Sequence, residues 1–286
     1  MSHYTTLVIG ENPEEQLEPF QELDLSREEL IENEYSVFVE SFRVEELEER
    51  FKAFKEENKE KIEEGKGDYW VKYRTCSEEE WVENWEGLYL NKEKTKYGYY
   101  ANPNAKWDWY VIGGRWSGML KLKPNSEGDL KEPDCFGICE DLDKERIKQY
   151  NENKEKRCVD SALKKDVDFS RDEEEHKRAV RFWELYVEKQ KPINKKEEEI
   201  IKSGYYKVSY YKETYKTKEI YARSRSEFGT FAVLKDGEWF EKGSMGWFGC
   251  SSETGKETRN WDKGYFEQFI RGLPEDTLLT IVDCHI

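Results

Sequence analysis

Apolar and polar positions change period several times along the chain, and each change predicts an element. His3 to Ile9 is a β-branched run closed by Gly10, and Asn12-Pro13-Glu14-Glu15 follows as a helix start. Tyr35 to Val39 is a second strand candidate. From there Val44, Leu47, Phe51, Phe54 and Ile62 share one face at helical spacing, with Glu and Lys filling the other positions until Gly65. Tyr69 to Arg74 predicts a strand. Ser77 and Glu80 form the capping box of a short helix in which Trp81 and Trp85, four apart, share a face before Gly87. Tyr97 to Tyr100 returns the chain to β structure, which continues through Leu122.

Between Asn102 and Gly118 the sequence N-P-N-A-K-W-D-W-Y-V-I-G-G-R-W-S-G places three tryptophans, a tyrosine, an aspartate and an arginine around a Gly-Gly pair. Trp107, Trp109 and Val111 alternate with Asp108, Tyr110 and Ile112 at period two, and Gly113-Gly114 supplies the positive φ of a tight turn before Arg115 and Trp116. The pattern predicts a hairpin with indoles on one face, buried at Trp107 and Trp109, and Asp108 near Arg115 or its neighbours on the other. It has two uses: an aromatic core hairpin, or a ligand cradle made of indole faces and one guanidinium. In the second use the ligand-binding residues are Trp107, Asp108, Trp109, Tyr110, Arg115 and Trp116.

Pro124 to Glu132 has the composition of a loop and is the candidate boundary. Residues 133 to 204 are polar and mainly helical in pattern, with Ser170 and Glu173 as a capping box ahead of Ala179, Phe182, Trp183 and Tyr186 on one face. The tyrosine-rich run from Tyr205 to Tyr221 fits either strand or helix. Phe228 to Leu234, Asp236-Gly237 and Glu238 to Glu241 signal a hairpin, and a helix over Tyr265 to Arg271 precedes a strand over Thr277 to Asp283. Strands at both ends around a helical middle predict an α+β fold with a mostly antiparallel or mixed sheet, in which the strands at the two ends share one sheet. The expected organisation is an α+β core from 1–132 and 205–286, with 133–204 as a helical insertion or subdomain.

Composition sharpens this picture. Of 286 residues 38% are charged and 36% fall in the hydrophobic set, yet 15% are aromatic, so Trp, Tyr and Phe supply much of the core and disorder is excluded. The net charge of −16 is local: residues 1 to 100 hold 27 acidic and 13 basic side chains, a balance of −14. Such a field disfavours direct nucleic-acid binding and attracts basic protein surfaces, when it is not simply a solvated face. Neither a signal-like apolar start nor a membrane-spanning run stands in the sequence, which implies a cytoplasmic protein with no membrane partner and with free thiols at its six cysteines. Cys135-x-x-x-Cys139 is not completed by a second pair or a nearby histidine, so no metal site is expected.

Chemistry is sparse. Of three histidines, His3 and His285 lie near the two ends, and if the end strands are neighbours they converge with Asp283 as candidate acid–base residues, while Cys284 faces the other way. The alternative is that these polar groups merely end a strand. Gly243-Ser-Met-Gly-Trp-Phe-Gly-Cys250 interrupts aromatics with three glycines, either as a bulged strand or as a loop offering Trp247 as a stacking face. No phosphate loop, dinucleotide fingerprint, nucleophile elbow or kinase signature is present, and no cofactor is implied.

Four ordered segments, S-H-Y-T-T-L-V-I-G, N-P-N-A-K-W-D-W-Y-V-I-G-G-R-W, M-G-W-F-G-C and D-C-H-I, resemble a family of uncharacterised bacteriophage and prophage proteins over nearly the whole length. The resemblance implies a viral origin and a place in the host bacterial cytoplasm, and carries no assigned activity. An acidic phage accessory protein without a catalytic signature is expected to counter host defence by stoichiometric binding of a host protein. The alternatives are a pocket that sequesters a nucleotide-like signal, through Trp107, Trp109, Arg115 and Trp247, and an enzyme with an Asp/His/Arg site.

Overall fold

The computed structural model describes residues 2–65, 68–133 and 140–286. It has an α+β fold whose strands, in chain order, are β1 His3–Ile9, β2 Val37–Arg43, β3 Tyr89–Leu90, β4 Lys96–Ala101, β5 Trp109–Ile112, β6 Leu120–Lys121, β7 Cys158–Val159, β8 Ser161–Leu163, β9 Ala232–Lys235, β10 Glu238–Glu241 and β11 Leu278–His285. The chain divides into two compact units: a core unit of 1–18 with 109–286, and an inserted unit of 19–108. This division falls elsewhere than the expected one. Residues 124–132 join the core unit because Asp129 pairs with Ser161 through both backbone groups, and the segment 133–204 lies within that unit instead of apart from it.

In the core unit the mixed sheet runs β10-β9-β1-β11-β5, with β8 also paired to β11. The two end strands are indeed neighbours: β1 and β11 are antiparallel over seven register pairs, from His3 opposite His285 to Ile9 opposite Leu279. β5 and β8 meet β11 at successive positions, Val282–His285 and Leu278–Thr280. β9 runs parallel to β1, and Asp236 and Gly237, at φ 53° and 75°, turn it into β10 as the expected hairpin. Both faces of β1 and β11 are covered, which is why these strands read as continuous apolar runs without alternation. Leu7, Ile9, Leu279 and Ile281 pack with Tyr265, Phe269 and Ile270, carried by Gly255–Tyr265 and the π-helical Phe266–Ile270. That helix begins ten residues before the expected start because Thr254 and Glu257 close a capping box.

The hairpin expected around Gly113-Gly114 does not form. β5 pairs with β11, β6 pairs with β7, and the glycines lead into a 3₁₀ turn, Gly114–Trp116. The described part of 133–204 is mainly helical as expected, over Glu140–Lys156, Glu173–Phe182, Trp183–Val187 and Lys195–Lys202, with β7 and β8 standing after the first of these. The helix Glu173–Phe182 is capped by Asp172, whose carboxylate accepts the N–H groups of Glu174 and Glu175, in place of the expected Ser170–Glu173 box. Ala179, Phe182 and Trp183 are buried as expected, against Tyr211, Tyr221 and Ala222. The tyrosine-rich run resolves into two helices, Val208–Tyr215 and Lys218–Ser226.

The inserted unit has its own three-stranded antiparallel sheet, β2-β4-β3. Helix Val44–Glu57 stops at Asn58 and a second helix, Lys59–Glu64, continues to Gly65. Leu47, Phe51 and Ile62 pack with Tyr73, Trp81, Val82, Leu88 and Tyr97. The strand expected over Tyr69 to Arg74 is instead helical, since Trp70 and Tyr73, three apart, both turn toward Phe54. Trp81 and Trp85 share a face as expected, both meeting the Phe54 ring at centroid distances of 5.4 and 5.6 Å, but Trp81 is buried whereas Trp85, on the π-helical Val82–Glu86, is 51% exposed. Asn102 explains N-P-N-A-K: its side-chain amide donates to the carbonyls of Pro19 and Gln21, and its oxygen accepts from Asn104 N–H, fixing both margins of the unit to each other.

Candidate functional site

The register of β11 between β1 and β5 assembles a cluster at one end of the core sheet. Side chains at alternate positions share a face, so Asp283 and His285 align with His3 from β1 and Trp109 from β5. His3 Nδ1 stands 2.8 Å from Asp283 Oδ1. The His285 imidazole stacks on the Trp109 indole, with ring centroids 4.7 Å apart and planes 18° apart, and His3 meets both rings edge-on at 4.8 and 5.2 Å. Asp283 and His285 are buried, whereas Trp109 is 43% exposed.

Two buried carboxylates hold the following loop. Asp283 Oδ2 accepts the N–H of Arg115 at 3.0 Å. Asp160, between β7 and β8, accepts from Gly118 N–H at 2.7 Å, Lys131 N–H at 3.0 Å and Ser117 Oγ at 3.3 Å. Burial pushes the Asp160 carboxyl above the usual range, and these donors pull it back only in part. The glycines are required by the same contacts. A Cβ on Gly113, at φ 74°, would stand 2.6 Å from the Asp160 carboxylate, and one on Gly114, at φ 53°, 2.5 Å from the Asp283 side chain. G-G-R-W-S-G is therefore a backbone wrapped over two carboxylates, leaving the Arg115 side chain exposed and Trp116 packed on the core.

On the other face Cys284 is buried, and its thiol is pushed up to about 12 by that burial, so it is no nucleophile at neutral pH. Burial likewise raises the Tyr110 phenol. Ser2 Oγ donates to the Gly246 carbonyl at 2.5 Å and accepts from Gly249 N–H at 2.7 Å, tying the M-G-W-F-G turn to the start of β1. That turn carries Phe248 at φ 60° and 83% exposed.

The arrangement supports two kinds of chemistry. With Asp283 holding the proton of His3 on Nδ1, the Nε2 lone pair is left to accept, as an oriented base requires. The Trp109 indole, stacked on His285 and 43% exposed, offers a platform for a planar group. The structure brings together His3, Asp283, His285, Trp109 and the backbone of Arg115. Trp107, which is buried, and Asp108 belong to the inserted unit. Trp109 departs from its expected burial: it is 43% exposed, at the start of β5, the last strand of the sheet order. The Trp247 side chain, and Cys135 and Cys139, lie outside the described residues. A concavity of about 530 Å³ among the described residues is lined by Ser126, Asp129, Ser161 and Lys165, among others, and shares no residue with this cluster. Sequence reasoning missed Asp160 and Ser2. The signal for Asp160 was the doubled glycine, which marks close approach as well as a turn.

No family model, curated protein or solved structure matches the chain. Among the described residues no group of three or more His, Cys, Asp or Glu is placed to hold a metal ion, and no helix is long and apolar enough to cross a membrane.

Proposed function

We propose that this is a bacteriophage accessory protein that counters host defence by binding a host bacterial protein stoichiometrically, through the inserted unit, in the host cytoplasm. One observation carries this reading: acidic charge is concentrated on that unit, which also presents an exposed indole. Residues 19–108 hold 24 acidic and 14 basic side chains, a balance of −10, while the remaining 196 residues carry −6. On helix Val44–Glu57 the exposed Glu45, Glu49 and Glu56 fall on one face, opposite buried Leu47 and Phe51. Trp85 adds an aromatic anchor of the kind that dominates interfaces. A basic partner surface fits this chemistry, and charge of this kind acts mainly on the rate of encounter.

The test is co-purification from infected cells followed by association kinetics with the purified partner. Glu45→Lys, Glu49→Lys and Glu56→Lys combined should slow association at least ten-fold with little change in dissociation, and rising salt should slow the native protein in the same way. Unchanged association, or inhibition at strongly substoichiometric amounts that is lost in His285→Ala, would replace this reading with an enzymatic one. A second reading, capture of a small nucleotide-like ligand, is favoured by the stacked, half-exposed Trp109 indole and the exposed Arg115 of the other unit.

A further inference from the structure

We infer that the tyrosine strip of Tyr205, Tyr206 and Tyr210, on the core unit, binds single-stranded nucleic acid, with bases stacked on Tyr205 and Tyr206 and the sugar–phosphate backbone following the lysines beside them. This surface shares no residue with the acidic face of the inserted unit or with the cluster around His3 and Asp283, and it goes beyond both readings above.

Local structure puts the rings outside. Helix Val208–Tyr215 turns Tyr211 inward against Phe182 and Tyr221, and Tyr206, just before the Lys207 cap, reaches Tyr211 at 6.4 Å as a staple. That contact leaves most of the strip in solvent: Tyr205 is 86% exposed, Tyr206 47% and Tyr210 39%. The rings are continuous, with Tyr205 perpendicular to Tyr206 at a centroid distance of 4.9 Å and Tyr206 against Tyr210 at 4.2 Å. The Tyr186 hydroxyl, donating to the Tyr206 carbonyl at 2.8 Å, anchors the strip to the preceding helix.

Charge around the strip is opposite to that of the chain as a whole. Residues 188–217, between the π-helical Trp183–Val187 and helix Lys218–Ser226, hold eight lysines and five glutamates, a balance of +3 in a chain of −16. All eight lysines are exposed, and among the described residues none of them forms an ion pair. Two are placed against the strip. Lys189 Nζ lies 4.8 Å from the centroid of Tyr186, the ring bonded to the Tyr206 carbonyl, and Lys207 follows Tyr206 directly and precedes Tyr210 by one helical turn. Acid closes the far end, since Glu213 lies one turn beyond Tyr210 and the Glu253 charge reaches the Tyr210 phenol. A polyanion is therefore directed over Tyr205 and Tyr206.

Exposed tyrosine suits a protein or a nucleic acid, and the cations decide between them. Lysine is depleted from protein–protein interfaces, whereas a phosphate backbone recruits it. Tyrosine rings stack on bases of any sequence, and a base offers its face only when it is out of a duplex. No covalent step is implied.

The experiment is fluorescence anisotropy with the full chain and three labelled probes: an oligothymidylate of about fifteen nucleotides, a blunt duplex of the same length and a polyglutamate peptide. The single strand should bind more tightly than either of the others. Tyr205→Ala with Tyr206→Ala should weaken it about five-fold or more, and Tyr205→Phe with Tyr206→Phe should restore it. Tyr205→Ala alone, at a side chain almost wholly in solvent, should weaken it without lowering the melting temperature. Lys189→Gln and Lys207→Gln should each flatten the slope of log affinity against log salt by about 0.7. Duplex binding as tight as single-strand binding, or alanine variants without effect, would leave only a cationic patch and overturn the inference. Tighter binding of polyglutamate would make the strip a protein-docking surface and overturn it too, as would no anisotropy change with the single strand at low salt.

Discussion

The two units bury aromatic residues by opposite means. In the inserted unit the core is built on helices: Phe54 alone touches Trp70, Tyr73, Trp81 and Trp85, with ring centroids between 5.1 and 6.4 Å. The buried polar residues among those described in it are the neutral amides Asn91 and Asn102, and its charged side chains stay out of the core. In the core unit aliphatic strands fill the centre, and polar groups go inside with them: Asp160, Asp283 and His285 are all buried. A core made of rings tolerates a charged exterior because rings need only contact. A core that buries carboxylates must give each oxygen a donor, and this is what fixes G-G-R-W-S-G in place.

The contrast can be broken most directly at Asp160. Asp160→Ala leaves three donors without their acceptor and should destabilise the core unit by about 3 kcal/mol or more. Chemical denaturation of the full chain should show one unfolding step displaced and the other unmoved. Displacement of both steps together would mean that the units are one cooperative body.

An effect of similar size separates two tryptophans. Trp81→Ala removes a buried indole and should cost about 3–5 kcal/mol, displacing the step that Asp160→Ala leaves alone. Trp109→Ala removes a half-exposed one and should cost about 1 kcal/mol. Equal losses in thermal melts would place Trp109 in a core and remove the platform.

The smallest effect is a pH dependence. The folded pKa of Asp160 is raised above the ordinary aspartate value of 3.8, so the folded state binds its proton more tightly than the unfolded state does. Its contribution is therefore most favourable at low pH and is lost as pH rises from that value through the raised folded one. The melting-temperature difference between the native protein and Asp160→Asn should shrink as pH rises across this window. A difference independent of pH would show that the carboxylate ionises normally in its buried setting.

Much of the fold was legible because period and turn chemistry speak locally. The β9–β10 hairpin followed from Asp236-Gly237, and the pairing of His3 to Ile9 with the last strand followed from two compact β-branched runs. The hairpin at Gly113-Gly114 was misread because a doubled glycine signals positive φ equally for a turn and for a backbone pressed on a side chain. Asp160 lies 47 residues from Gly113, and no local pattern links them. Tyr69 to Arg74 was misread because a short aromatic run has no period of its own until Phe54 selects one. For the candidate site, His3, Asp283 and His285 could be grouped from strand alternation alone. The stacking of Trp109 on His285 depends on which strand lies beside β11, and that pairing is written nowhere in the residues from 109 to 112.

The pairing of β1 with β11 also sets an order of events during synthesis. His3 meets His285 across 282 positions, so the central pair of the core sheet cannot form until residue 285 has left the ribosome. The inserted unit has all its residues by position 108. At ordinary rates of elongation it has on the order of ten seconds or more to fold while β1 waits beside it unpaired. An unpaired apolar strand is an aggregation hazard, and a neighbouring unit that folds early and carries a net charge of −10 is well suited to keep the nascent chains apart.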